Sequence, residues 1–483
     1  MHSSQRASNA EGLNHTDPII IVGAGVFGLT TALHLSKRGY KNVHIFDKQP
    51  YDKNGYATSA GCDAASADEN KILRASYGSD KLYQDLAFAA MEHWESWNGQ
   101  ISTAQDLPPA LSNTDKLWEN CGFLRIGDNG LEDEEIESQE NFPEEIKHTQ
   151  YRVTDARRVR DALRDGIPAS KIDPFARQAR GLETDGVLDM TAGFVRASKA
   201  CAFALYLCRK AGVHMHLGPG KGEFRSFLKD GTAVTGIKTV DGASHQARLV
   251  LVAAGGWTPS LVPQADRLLE TTAGSVATVH LPKDREDLWA KYDPATFPVW
   301  SWNMLSYKSG TTIGGLYGFP RTNDGIIKFG FRGTKWTNYA FKTTESGRMI
   351  SYPRTDLNEV PETALNVVRA FCKENMPDLL ELEMARGRLC WYTDSVDDSF
   401  LIARVPDTPG LVVASGGSGH GFKFLPVLGE HAVDVIEGKD TEYTRLFGWR
   451  DVPEGKANGL EEGPSGWRTL DKQVLHGKRQ WKL

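Results

Sequence analysis

The apolar positions of this chain fall into two patterns, and each predicts a different kind of element. Short runs in which nearly every residue is apolar predict buried strands: IIIV from Ile19, LVLVAA within Ala247–Trp257, and LVVA within GLVVASGGSGHGFKFLPVLGEHAVDVIEG. Each run ends in a glycine-rich turn, at Gly23–Gly28, at Ala253–Trp257 and at Gly416–Gly421, and the first and third turns lead into helices. From Gly193, GFVRASKACAFALYLCRKAG reads as a helix, and VTGIKTV after it reads as a strand. Residues 263–389 have another texture. They are rich in aromatic and β-branched residues, as in FPVWSWNMLSYK and TTIGGLYGFP, and predict antiparallel strands. Residues 101–189 are charged and loop-rich, and the acidic run Glu132–Glu135 reads as a solvated face.

The layout is α/β: an open lobe from residues 18–100, 190–262 and 390–440, interleaved with a β-rich lobe from 101–189 and 263–389. A disordered tail at 1–17 precedes it and an extension at 441–483 follows. The first turn carries the strongest chemistry. In IIIVGAGVFGLTTALHLSKRGYKNVHIFD, strand, Gly-x-Gly-x-x-Gly turn, helix and acid-terminated strand follow at the spacing of a dinucleotide site. Gly23 permits the tight turn, Gly25 lets the backbone approach a pyrophosphate at the helix N-terminus, and Gly28 lets helix and strand pack closely. Asp47 is placed to take the ribose hydroxyls.

Composition narrows the partners. The chain has 483 residues, 40% of them hydrophobic, and a net charge of −6, which gives no general attraction for nucleic acid or an anionic membrane. Small molecules are the expected partners. Six cysteines at 62, 121, 201, 208, 372 and 390 show no Cys-x-x-Cys pair or zinc-ligand spacing, which fits a reducing compartment and no metal site. The N-terminal residues lack the apolar core of a signal peptide, and no stretch is apolar enough to span a bilayer. A cytosolic monomer is expected. The terminal Trp-Lys-Leu only partly matches the peroxisomal Ser-Lys-Leu address, which leaves the peroxisome open.

Four local motifs stand in order after the first turn: ADENKILRASYG at Ala67–Gly78, YGFPRTNDGIIKFG at Tyr317–Gly330, LCWYTDS at Leu389–Ser395, and GGSGHGFKFLP at Gly416–Pro426. With the three glycine segments, the chain from about Pro18 to Lys439 resembles the FAD-dependent amine oxidases of the monomeric sarcosine oxidase family. That family includes pipecolate oxidase, saccharopine oxidase and the fructosyl amino acid oxidases, or amadoriases. The resemblance implies an FAD-binding Rossmann-like lobe of glutathione-reductase type, similar to D-amino-acid oxidase, interleaved with an antiparallel-sheet α+β lobe covering the flavin. It implies FAD contacts from Gly23, Gly25, Val26, Phe27 and Gly28, from Asp47 and Lys48, and from Ala254, Gly255 and Trp257. Gly417, Gly419, Gly421, Phe422 and Lys423 complete them.

Cys390 matches the cysteine that the family joins covalently to the flavin 8α-methyl carbon, whereas a free cysteine is more often a structural core residue. Lys328 matches a lysine held beside flavin N5 through a water, where a fixed cation lowers the barrier to electron transfer to O₂. Arg74 and Lys423 match the pair that clamps the substrate carboxylate, a bidentate fork beside a point charge. Lys423 is expected to open the helix whose positive end lies against the flavin, and Lys71 to lie one helical turn from Arg74 on the same face. Tyr317 and Tyr392 match aromatic positions lining the substrate cavity, and Asp68 has no assigned role.

One position departs from the amadoriases. They carry a sugar-binding glutamate four residues after the lysine matching Lys328, and here that position is Arg332, a donor-only side chain. Gly417 also replaces an aspartate common in amadoriases. If Arg332 faces the cavity it invites a second anion, as saccharopine would supply. If it points into a salt bridge, an N-methyl or cyclic amino acid fits, or a natural-product intermediate whose iminium cyclises. The resemblance implies hydride transfer from the carbon beside a secondary amine of an N-substituted L-amino acid to flavin N5, with O₂ yielding hydrogen peroxide. Amadoriase activity is an alternative. Two readings from other classes stay open: a nicotinamide-linked dehydrogenase, and a flavin-binding protein without catalysis.

Overall fold

The structure is a computed structural model that describes residues 12–127, 130–131, 133–304, 314–343, 347–355, 358–451 and 462–477. Of the expected disordered tail, 1–11 lie outside the described residues, as do 305–313 in the β-rich region and the terminal 481–483. Residues 12–17 are not loose. The Lys41 amide donates to His15 O at 2.8 Å, and the His15 and Tyr40 rings meet with centroids 4.8 Å apart.

The apolar runs form a six-stranded sheet in the order Leu401–Arg404, Leu411–Ser415, Leu249–Val252, Ile19–Val22, Val43–Asp47 and His214–Leu217. All neighbours are parallel except the first pair. Ile19–Val22 and Leu249–Val252 are buried at every position, as strands covered on both faces must be. Ile21 lies opposite Leu251 on one side and Ile45 on the other. The helix Val26–Lys37 packs against both Ala197–Lys210 and Leu428–Ile436. Because the strands ending at Val22, Val252 and Ser415 are parallel neighbours, their carboxyl ends point the same way. The three glycine turns, far apart in sequence, therefore meet at one edge of the sheet, where open α/β sheets bind ligands.

One local expectation is corrected, and the strand expected at VTGIKTV is found at Ala233–Thr239. In GFVRASKACAFALYLCRKAG the first residues form a strand, Gly193–Val195, paired with Lys71–Leu73 and Trp118–Glu119, and the helix begins at Ala197. VTGIKTV joins a separate three-stranded antiparallel sheet with Phe224–Asp230 and Ser244–Gln246.

The second large sheet has eight strands, in the order Met384–Ser395, Leu269–His280, Ile326–Trp336, Leu316–Gly318, Val299–Trp302, Phe123–Gly127, Asp185–Asp189 and Gln150–Arg152. It is antiparallel except where Val299–Trp302 runs parallel to Phe123–Gly127. Its last three strands come from the region that reads as charged loops. Several of their polar and charged groups are internal: Arg125 is buried against Glu135 and Asp189, and Gln150 Nε2 donates to Asp189 Oδ1 at 2.7 Å, so the alternation that marks a strand is hidden. Residue 390 falls inside the continuous strand Met384–Ser395, directly opposite Gly274. Among the described residues no helix is long and apolar enough to cross a membrane.

Candidate functional site

A single cavity of about 1320 Å³ runs from the glycine turns to the eight-stranded sheet. Gly23, at φ +114°, has room for no Cβ, which would lie 2.3 Å from Ala253 O, and a Cβ on Gly28 would lie 1.9 Å from Gly23 O. The turn is closed by these two contacts, and Gly25 starts the helix as a cap without a side chain. Val26 N–H donates to Ser66 Oγ at 3.1 Å, and the Asp47 carboxylate accepts the Ala24 and Gln49 amides at 2.8 Å each. Lys48 Nζ lies 4.0 Å above the Trp257 ring. Gly23, Gly25, Val26, Phe27, Asp47 and Lys48 line the cavity, and so do Ala254, Gly255, Trp257, Gly417, Gly419, Gly421 and Phe422. Gly28 lies behind the wall, as a packing glycine should.

Beyond the turns the wall becomes cationic. Cys390 reaches it, and the other five cysteines do not; burial pushes the Cys62 and Cys121 thiols up to about 12. Lys71 Nζ stands 3.8 Å from Cys390 Sγ and 2.7 Å from Asp68 Oδ2. Lys328 is fully buried behind them. Its Nζ donates to Asp68 Oδ2 at 2.8 Å and Asn70 O at 2.6 Å, and it is not part of the cavity wall. Burial lowers the Lys328 ammonium to about 8; Asp68 offsets only part of this, and repulsion from the Lys71 ammonium adds to the lowering. On Asp68 the surrounding cations, Lys328 first and then Lys71 and Arg388, outweigh burial and hold the carboxyl below its usual range. Asp68, unassigned from sequence, is thus the anion that binds this cluster together.

Lys71 and Arg74 are not one helical turn apart. Lys71–Leu73 is a strand, and the chain leaves it at Arg74, so both side chains come to the wall by a change of direction. Lys423 likewise does not open an α-helix. It sits in the 3₁₀ turn Phe422–Phe424, and the α-helix starts at Leu428, after Pro426.

The far end of the cavity gathers Arg74, Tyr77, Lys423 and His420. Lys423 Nζ donates to the Tyr77 hydroxyl, and Arg74 and Lys423 both lie over the Tyr77 ring, 4.7 and 4.6 Å from its centroid. Among the described residues Lys423 has no carboxylate within ion-pair distance; burial, then Arg74 and Arg332, push its ammonium well below its ordinary value. His420 Nε2 is 2.9 Å from Asp398 O and must donate to it, which leaves Nδ1 to accept the Tyr77 hydroxyl at 3.0 Å. Burial holds this imidazole neutral. Tyr77 and His420 were visible in RASYG and SGHGF, but only the fold joins them.

Tyr317 lies across from Gly330, where a Cβ would come 2.1 Å from the Tyr317 Cζ, so a glycine makes space for the ring. Tyr317, Tyr392 and Arg332 all line the cavity. Arg332 therefore faces the cavity and also has Asp394 at 3.7 Å. The acidic run is corrected too: Glu132 lies outside the described residues, but Glu134 and Glu135 line the cavity, Glu134 at 3.9 Å from Arg74 and Glu135 paired with buried Arg125.

A family model described as FAD dependent oxidoreductase matches residues 18–435. L-saccharopine oxidase of Schizosaccharomyces pombe is 25% identical over 94% of this chain and 96% of its own length. N-methyl-L-tryptophan oxidase of Citrobacter koseri is 23% identical over 88% of this chain and 96% of its own. The fold is similar to that of the fructosamine oxidase of Aspergillus fumigatus (Amadoriase II), with a TM-score of 0.71 at 24% identity, covering 98% of this chain and 99% of that one.

Proposed function

The chain belongs to the FAD dependent oxidoreductase family, and from that premise we propose that it oxidises the secondary amine of an N-substituted L-amino acid. The observation that carries this reading is the shared cavity: the glycine turns, Cys390, and the Arg74–Tyr77–Lys423 cluster line one space. At about 1320 Å³ it exceeds the roughly 300–1,000 Å³ of a pocket for one small ligand, which leaves room for cofactor and substrate together. Gly23 and Gly28 leave the close backbone approach a pyrophosphate needs. L-saccharopine and N-methyl-L-tryptophan, in the names of two relatives, are both N-substituted amino acids.

Asp47, Lys48, Trp257 and the Gly416–Phe422 turn would hold FAD, with the Cys390 sulfur as its covalent anchor. When bound, FAD supplies the acceptor for a hydride from the carbon beside the amine and returns the electrons to O₂, leaving an imine and hydrogen peroxide. The chain's own groups orient the substrate. Arg74 offers a planar fork to the α-carboxylate, and Lys423 a buried amine, with no carboxylate within ion-pair distance among the described residues, whose charged form an incoming carboxylate would favour. Tyr317 and Tyr392 wall the substrate with apolar faces. Sugar recognition of the amadoriase kind is not favoured, because Arg332 cannot accept hydrogen bonds from sugar hydroxyls as a glutamate at this position would. The lobe partition at residues 18–100, 190–262 and 390–440 against 101–189 and 263–389 belongs to the same reading, as does a cytosolic monomer.

Anaerobic mixing with N-methyl amino acids, pipecolate, saccharopine and a fructosyl amino acid tests it. Bleaching of the visible flavin band by at least one of the first three is expected, and bleaching by none of them overturns the proposal. The covalent anchor has its own check: flavin stays with the acid-precipitated wild type and passes into the supernatant from Cys390→Ser.

A further inference from the structure

Arg332 stands on an irregularity of the eight-stranded sheet. Phe331 pairs with Ser275 and Trp336 with Ala273, so the four residues Arg332 to Lys335 span the single position of Gly274. Such bulges re-aim side chains, and here Arg332 and Lys335 both reach the cavity wall. Glycine makes the space. A Cβ on Gly419 would lie 2.4 Å from the Arg332 Cζ, and one on Gly274 would lie 3.6 Å from its Cγ.

The guanidinium is confined but poorly satisfied. Nη2 donates to Ser418 O at 3.2 Å, while Nε is buried with no hydrogen-bond partner among the described residues. Its nearest carboxylate, Asp394, is 3.7 Å away and lies closer to Lys335, at 3.1 Å, besides accepting from Thr272. Asp394 is thus shared between two cations, with Asp398 3.8 Å from Lys335 as a second, more distant carboxylate. A guanidinium has five donors in a planar fork that matches a carboxylate, and desolvated donors left unpaired are unfavourable. Arg74 and Lys423 already provide for one carboxylate elsewhere on the same wall.

Resting on the amine-oxidase reading, we propose that Arg332 seats a second carboxylate, so that the preferred substrate is a diacid: a secondary amine whose distal end, in its side chain or its N-substituent, carries a carboxylate. The α-carboxylate occupies Arg74 and Lys423, and the distal one completes the donors of Arg332. This selects against neutral N-methyl amino acids by binding and leaves the oxidation step itself unchanged.

The test uses the flavin-loaded enzyme and matched pairs: N-methylglutamate with N-methylglutamine, and an N-carboxyalkyl amino acid with its carboxamide. In the wild type the acid of at least one pair should half-saturate flavin reduction at about tenfold lower concentration or less than its amide. The responding pair shows which arm of the substrate carries the distal carboxylate. In Arg332→Gln the acid-to-amide ratio of half-saturation should collapse to about one whatever the shared change in affinity or rate, and Arg332→Lys should restore part of it. Equal half-saturation of acid and amide in both pairs, or an Arg332→Gln that weakens both members alike, overturns the proposal. A thioether diacid, with sulfur in place of the amine, is titrated in parallel by its perturbation of the flavin spectrum against its monoamide. If no amine reduces the flavin, the oxidase reading falls. The titration still decides Arg332, since a diacid thioether bound no more tightly than its amide overturns the second seat.

Discussion

At Lys328 burial and chemistry pull in opposite directions. Its ammonium has no exposure, and although Asp68 is 2.8 Å away, that carboxylate also serves Lys71 at 2.7 Å and faces Arg388 at 4.0 Å. The ammonium is therefore pushed down to about 8, charged below that pH and neutral above it. If its charge assists electron transfer to O₂, reoxidation of the reduced enzyme should be fast below pH 8 and fall as pH rises through it. Lys328→Met should be slower by about 10²-fold or more at low pH, with a flat profile, while substrate reduction of the flavin changes far less. Stopped-flow oxidation of the reduced enzyme checks this, and an unchanged oxygen rate in the variant would remove Lys328 from the chemistry. The lysine was legible from its place in IIKFG. That Asp68 binds it and Lys71 into one cluster was not, because 260 residues separate Lys328 from Asp68.

Among the elements, the first glycine turn was the most legible and allows little change. A methyl at Gly28 would meet the Gly23 carbonyl at 1.9 Å, backbone against backbone, with no side chain able to yield. Gly28→Ala should cost about 1–3 kcal/mol of strain, concentrated where the cofactor binds, and yield protein with little flavin by its visible-to-ultraviolet absorbance ratio. Gly99→Ala, in the helix Lys81–Thr103 with open space around it, should keep its flavin and gain about 0.5–1 kcal/mol. Normal flavin content in Gly28→Ala would refute the packing argument. Elsewhere local pattern misled. A three-residue spacing in KILR matches a helical face, but pairing with Gly193–Val195 makes Lys71–Leu73 a strand, and Pro426 delays the helix after Lys423.

For the whole molecule, the C-terminal segment forms a separate two-stranded sheet and packs Arg468 against the second large sheet. Leu475–Gly477 pairs with Glu359–Pro361, and Arg468, 3% exposed, bonds Glu270 at 2.9 Å, Glu462 at 2.9 Å and Lys335 O at 2.7 Å. Arg468→Ala would leave Glu270 buried with Tyr339 as its remaining side-chain partner among the described residues, so a loss of about 3–5 kcal/mol is expected, seen as a lower Tm. An unchanged Tm would mean that the segment contributes nothing to the sheet's stability. The sequence alone determined the nucleotide-binding sheet, since a run of apolar residues followed by glycine and a helix is a local signal that any neighbourhood must respect. It also named the glycine turns, Cys390 and the basic side chains Lys71, Arg74, Arg332 and Lys423 on the cavity wall, because their motifs are short and contiguous. Only the tertiary structure decided which of those groups meet. Parallel strand order brings three distant turns to one edge, a bulge turns Arg332 and Lys335 inward, and one buried carboxylate holds Lys71 and Lys328. These depend on contacts between residues from tens to hundreds of positions apart, which no local periodicity encodes.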